Sequence, residues 1–342
     1  MAPWSYERRR VQEGLCGTGQ DAGGAVMNKI HNRQVVCETL MELAKEDRDI
    51  VVLCSDSRGS ASMKPFAEKY PGQFIEVGIA EQNIVGIAAG LAASGKKPFV
   101  ASLACFLTAR AAEQIKVDVS YSKTNVKLLG ISAGISYGAL GMSHHSLQDI
   151  ALIRAIPNIL IVVPADRFET RLATEAAARY DGPVYMRLGR NPVEDVYTSS
   201  DYEFQLGRAI TMRDGDSLSI ITFGETVRIA LDAAELMAAR GINCRVINMH
   251  TIKPLDEECI IRAAKETGAI LTIEEHSILG GFGAAVAEVV VQNYPVSMKI
   301  MGIPDEPAVP GKSKEVFAYY GISPENLCDE AEKLIKKKKA GE

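Results

Sequence analysis

Short apolar runs and longer stretches with a helical period alternate along the first half of the chain. Residues 50–55, 74–77, 98–103, 126–131, 159–163 and 184–188 have the length and composition of buried strands. Between them, 83–93, 107–121, 147–155 and 168–179 repeat apolar residues at helical spacing. Such alternation predicts an α/β fold built on a mostly parallel sheet with both faces covered. After Arg190-Asn-Pro the pattern gives way to a polar stretch containing Thr198-Ser-Ser-Asp and Arg213-Asp-Gly-Asp, which predicts a linker over 193–216. A second series follows, with strands expected at 218–223, 244–248, 269–273 and 297–302 and helices at 226–240, 256–267 and 284–292. The expected organisation is a leader over 1–27, a larger domain over 28–192, the linker, and a smaller α/β domain over 217–342.

Composition agrees with two domains. The chain has 342 residues, 47% of them hydrophobic, enough for two cores. A net charge of −5 with scattered basic residues leaves no electrostatic footprint for nucleic acid. The run from Lys336 to Lys339 reads as a solvated helix end. Seven cysteines show no C-x-x-C pair and no metal-like grouping with the five histidines, so reduced thiols and a cytoplasmic location are expected. The most apolar run, 84–93, is shorter than the roughly 20 residues a membrane span needs. Residues 1–26 carry Glu7-Arg8-Arg9-Arg10 and a Gly-rich patch without the apolar core of a secretory signal. They are expected to be disordered, with Met27 opening the folded protein.

One carboxylate interrupts the apolar pattern. Glu81 follows Gly78 and Ala80 and precedes Ile84, Val85, Ile87 and Ala88. Burying an unpaired carboxylate is costly, so Glu81 is expected to face a ligand; capping the helix start is the other reading. The stretch Gly78-Ile-Ala-Glu-Gln-Asn resembles the motif of transketolases and the related deoxyxylulose-phosphate synthases. Pro164-Ala-Asp, Gly182-Pro-Val-Tyr-Met-Arg-Leu-Gly-Arg and Glu274-Glu-His-Ser-Ile-Leu-Gly-Gly extend the resemblance, in order, from about residue 28 to the C-terminal helix.

The resemblance implies a pyrimidine-type domain that binds thiamine diphosphate, followed by a transketolase C-terminal-like domain. It implies that Glu81 presents its acid to the aminopyrimidine ring, a role that needs a desolvated carboxyl at fixed distance. Ser102-Leu-Ala-Cys-Phe-Leu-Thr-Ala-Arg resembles the segment that forms the ring's apolar wall, with Phe106 stacking and Leu103 in a place that is aromatic in many transketolases. Arg110, one turn on from Phe106, is expected to approach the cofactor or a carboxylate such as Glu113. Asp56 is expected to help enclose the cofactor, with turn capping as the alternative. The loop Gly130-Ile-Ser-Ala-Gly-Ile-Ser-Tyr-Gly-Ala-Leu-Gly-Met-Ser-His-His-Ser is implied to bring His144, with His145 beside it, to substrate oxygens. Arg33, Ser60 and Arg190 match phosphate-contacting positions, and Ser132 stands where many transketolases have histidine; surface pairing is the bland reading of the two arginines.

Two departures narrow these implications. Ala139-Leu140 replaces the Glu-Asp pair of sugar transketolases, which removes an acid for a substrate hydroxyl and leaves the sugar open. No Gly-Asp-Gly occurs, Asp214-Gly-Asp being its inverse, so no metal site is expected on this chain. Mg²⁺ and the diphosphate are expected on an N-terminal transketolase subunit, in an α2β2 assembly that also self-associates through both domains. The implied reaction moves a two-carbon ketol unit from a ketose, expected to be phosphorylated, to an aldose. The β component of a 2-oxoacid dehydrogenase and a non-catalytic binding module of the same fold are the alternatives. Pro310-Gly-Lys-Ser and Gly280-Gly-Phe-Gly resemble nucleotide loops only in part, because Glu306 and Val286 stand where glycines belong.

Overall fold

A computed structural model describes residues 30–340, so the leader expected over 1–27 lies outside the described residues. Six parallel strands form the first sheet: β1 (Ile50–Cys54), β2 (Phe74–Glu76), β3 (Lys97–Leu103), β4 (Lys127–Ile131), β5 (Leu160–Val162) and β6 (Val184–Leu188). Their order is β5-β6-β4-β3-β1-β2. The strands β1, β4 and β6 are buried along their whole length, as strands covered on both faces must be. Covering them are α1 (Asn32–Glu46), α2 (Glu81–Ala93), α3 (Ala104–Arg110), α4 (Asp149–Ala155) and α5 (Arg167–Arg179). The α5 helix starts where it does because the Asp166 carboxylate accepts the Glu169 N–H at 3.0 Å, a cap worth about 1 kcal/mol.

The second sheet contains β7 (Ile210–Arg213), β8 (Leu218–Thr222) and β9 (Cys244–Asn248). The next strand, β10 (Thr251–Lys253), leaves it and pairs antiparallel with β5, adding a seventh strand to the first sheet. β11 (Ala269–Ser277) and β12 (Ser297–Ile303) complete the second sheet in the order β12-β11-β8-β9-β7, with only β7 antiparallel. Its helices are α6 (Thr226–Ala239), α7 (Glu257–Thr267), α8 (Phe282–Asn293) and α9 (Pro324–Ala340). One apolar layer joins the sheets: Ile84, Leu107 and Ile150 from the first half lie in the same buried cluster as Phe223, Ile260 and Phe282 from the second.

Three features depart from the periodicity. α1 has a buried face with Val36, Leu40 and Ala44 at helical spacing, a signal masked by the polar residues around it. β7 lies inside the stretch expected to be linker, where Thr211 and Ile210 pair with Ile247 and Asn248. The single helix expected over 107–121 breaks at Ala111 (φ −103°, ψ 21°) and resumes as a wider i→i+5 turn over Ile115–Tyr121, a form common near functional sites. Among the described residues no helix is long and apolar enough to cross a membrane.

Candidate active site

The carboxyl ends of the parallel strands converge on one rim. Asp56 follows β1, Glu81 opens the helix after β2, Leu103 ends β3, Ser132 follows β4 and Arg190 follows β6. In open α/β sheets this is the edge at which ligands bind. Gly78 (φ 74°) turns the chain there, and Glu81 becomes the first residue of α2, two residues earlier than its period predicts. Its side chain is 5% exposed and its Oε2 accepts Arg110 Nη1 at 2.9 Å.

The same guanidinium, which is 47% exposed, lies 4.0 Å from the centre of the Phe106 ring. A planar N–H group is thus stacked on Phe106 while it donates to Glu81. A buried carboxyl that accepts and an aromatic face beside it are contacts an aminopyrimidine could also use, so Glu81 and Phe106 are compatible with such a ring. Leu103 is half-buried where β3 gives way to α3. An open groove of about 280 Å³ runs alongside, lined by Phe106, Arg110, Met142, Ser143 and Asp149 among others.

From Phe106 a chain of ring contacts continues along the rim. His144 meets Phe106 edge-on at 5.2 Å and Tyr137 at 5.5 Å, and the Arg190 guanidinium lies 4.0 Å over Tyr137. Arg33 lies beside Arg190: burial, then the charge of Arg190, lowers its pKa. Arg33 Nη1 donates to the Ser60 carbonyl at 2.6 Å, while Arg33 Nε and Arg190 Nη1 are buried without an acceptor among the described residues. Two adjacent cations with spare donors fit an oxyanion. The rim therefore joins Glu81, Arg110, Phe106, His144, Arg190, Arg33 and Ser60.

Other residues singled out in the sequence lie outside this series of rim contacts, although His145 lines the same groove as Phe106 and Arg110. His145 is buried, its Nε2 lies 3.1 Å from the Gly138 carbonyl, and burial lowers its pKa, so it shapes the loop. Ser132 is buried in a left-handed conformation (φ 59°), its hydroxyl without a partner among the described residues. Asp56, also left-handed (φ 56°), is exposed, and its N–H is held by Glu76 at 2.7 Å. Tyr137, which links His144 to Arg190, was not anticipated; an aromatic among the glycines of that loop is its only sequence signal.

Behind the rim lies a buried ionic cluster at the junction of the two sheets. Arg187 Nε donates to Asp149 Oδ2 at 2.8 Å, and Tyr185 donates to the same oxygen at 2.7 Å. Burial pushes Glu274 up to about 7 although it accepts the Phe282 and Gly283 N–H groups, and it pushes His276 down to about 4. Glu225 and Glu275 are both raised, chiefly by burial; the charge of Glu275 adds to the rise at Glu225, that of Asp149 adds to it at Glu275, and Arg187 opposes both. Among the described residues no His, Cys, Asp and Glu side chains gather as a metal cluster.

A carboxyl raised in the folded state stabilises the protein below its ordinary pKa, and that contribution fades as pH climbs through the raised value. The Glu225 contribution is accordingly present below the ordinary glutamate pKa and lost as pH rises through the raised one. Wild type should lose stability relative to Glu225→Gln across that window, at up to about 1.4 kcal/mol per pH unit for one proton. Urea midpoints measured at several pH values check this; parallel profiles for the two proteins would refute it.

Fold and rim together define an α/β protein with a charged and aromatic rim at the carboxyl ends of a parallel sheet. Comparison with known proteins is more specific. Residues 28–194 match the family of transketolase pyrimidine-binding domains and 207–327 that of transketolase C-terminal domains. The chain is 51% identical to an apulose-4-phosphate transketolase subunit of Phocaeicola vulgatus, over 91% of this chain and 99% of that one. It is 37% identical to the 6-deoxy-6-sulfo-D-fructose transketolase subunit SqwH of a Clostridium species, over 90% of this chain and 95% of that one. A solved split-gene transketolase, described as an inactive beta4 tetramer, superposes with a TM-score of 0.83 at 39% identity, covering 90% of this chain and 99% of that one. The chain belongs to the transketolase family.

Proposed function

We propose that this chain is the subunit of a two-component transketolase that holds the aminopyrimidine side of thiamine diphosphate and the substrate rim. The Phocaeicola and Clostridium relatives, each named as a transketolase subunit and matched over nearly its whole length, support a chain that works with a partner. In this reading an N-terminal subunit supplies the diphosphate grip and Mg²⁺, the assembly is α2β2, and sugars enter between subunits. The observation that carries it is the Glu81–Arg110–Phe106 arrangement, in which a buried carboxyl and an aromatic face both touch one planar N–H group.

When bound, thiamine diphosphate supplies the carbanion chemistry that breaks the bond next to a ketose carbonyl. The chain's residues do the rest. Glu81, itself buried, would fix the ring through a hydrogen bond, which counts for more away from water. Phe106 and Leu103 would give the ring an apolar wall, and the half-exposed Arg110 would turn toward solvent to admit it. His144, held between Phe106 and Tyr137, carries an imidazole suited to moving protons at substrate oxygens near neutral pH. Arg33 and Arg190 receive the terminal oxyanion of the sugar. Both relatives are named for sugars with such a group, a phosphate in one and a sulfonate in the other.

Arg190→Ala should raise KM for a phosphorylated ketose about 10- to 100-fold, the effect of about 1.5–3 kcal/mol for a hydrogen bond to a charged group, and leave an uncharged ketose unaffected. Steady-state kinetics with both sugars, in the complex with the diphosphate-binding subunit, test this. Equal losses on the two would remove Arg190 from the oxyanion site. Ketol transfer by the reconstituted complex, absent from either subunit alone, tests the function itself; lipoamide-dependent decarboxylation instead would reject it.

A further inference from the structure

The loop that carries His144 is held almost entirely from behind, and the second sheet does much of the holding. The Ile135 N–H donates to Glu275 Oε1 at 2.7 Å, and a Cβ at Gly134 would collide with the Glu275 side chain. Glycine at 134 (φ 62°) therefore lets a carboxyl from β11 press directly on the loop's first turn. At the loop's far end the Ser277 N–H donates to the Leu147 carbonyl at 3.0 Å. Arg187 ties that far end to β11, donating to the Ser146 carbonyl at 3.3 Å and the Glu275 carbonyl at 2.8 Å. Within the loop, Gly134 and Ser146 exchange both backbone hydrogen bonds, at 3.1 and 2.8 Å.

The Pro310-Gly-Lys-Ser turn grips the middle. Gly311 N–H donates to the Gly138 carbonyl at 3.1 Å, Ser313 Oγ donates to the Ile135 carbonyl at 3.1 Å, and a Cβ at Gly138 would meet the Gly311 carbonyl. The turn that ends like a P-loop thus acts as a backbone latch.

We infer that Glu275 is a positioning residue: from the C-terminal domain it sets the conformation of the 133–146 loop and thereby the place of His144 at the rim. Glu275 reaches His144 only through the loop. Three glycines in the loop, Gly134, Gly138 and Gly141, leave it little stiffness of its own. Its shape is borrowed from Glu275, Arg187 and the 310–313 turn. The consequence for catalysis rests on the transketolase reading, while the bracing does not.

The test uses the free chain first. In Glu275→Ala, amide exchange over 133–146 should run about tenfold faster while β1 and β8 keep wild-type rates. Glu275→Gln, which keeps an acceptor for the Ile135 N–H, should restore protection. In the complex with the diphosphate-binding subunit, Glu275→Ala should lower kcat about tenfold with the half-saturating thiamine diphosphate concentration unchanged, and Glu275→Gln should recover kcat. Wild-type exchange over 133–146 in Glu275→Ala, or an equal rise in every strand, would overturn the inference, as would cofactor affinity falling in step with kcat. A wild-type complex without ketol transfer would sink the functional reading alone, and the exchange measurement would still decide the brace.

Discussion

Glu81→Ala in the reconstituted complex should lose ketol transfer by about 10²- to 10⁴-fold, the range contributed by a positioned acid or base. The carboxylate is buried and touches Arg110 at 2.9 Å, so its removal also leaves that guanidinium over Phe106 with nothing to draw it inward. Glu81→Gln separates the two roles: it keeps the size and an acceptor but not the charge, and should retain folding and weak cofactor binding while turnover stays low. Single-turnover measurements at saturating cofactor check the effect on chemistry, and calorimetry checks binding. Turnover within tenfold of wild type in Glu81→Ala would show that the ring is governed from elsewhere.

The second large effect concerns stability. Arg187→Met should destabilise the chain by about 3–5 kcal/mol, because both partners of the Arg187–Asp149 pair are buried and Asp149 would be left uncompensated. The ionic contact is made by one arginine nitrogen, at 2.8 Å. Its other bonds, to the carbonyls of Ser146 and Glu275, are ones methionine cannot make. Adding Asp149→Leu to Arg187→Met should recover part of the loss by removing the stranded charge. Urea unfolding of the single and double variants measures this. A double variant less stable than the single one by the full cost of Asp149→Leu would mean that the two residues are not coupled.

The alternation of apolar runs and helical stretches made the strands legible because parallel strands covered on both faces are mostly apolar: β1, β4, β6 and β8 are buried along their whole length, and β1 is apolar at every position. α1 escaped because only a narrow face is apolar. β10 escaped because three residues carry no period and their partner, β5, lies far away in the chain. At the rim, Glu81 stood out as a carboxylate in an apolar setting, and Phe106, Arg110 and His144 followed from motif order. Their mutual contacts did not, since local patterns say nothing of which strand ends become neighbours. Glu225, Glu275 and Arg187 were invisible as a group for the same reason: each comes from a different element, and only the fold buries them together.

The crossing of β10 into the first sheet makes the two halves inseparable. A fragment cut at 216 would leave Leu160–Val162 with a bare backbone edge and strip Ile84, Leu107 and Ile150 of part of their apolar cover, conditions that favour aggregation. The halves therefore fold as one body, and an incoming cofactor would meet a loop whose geometry is already settled.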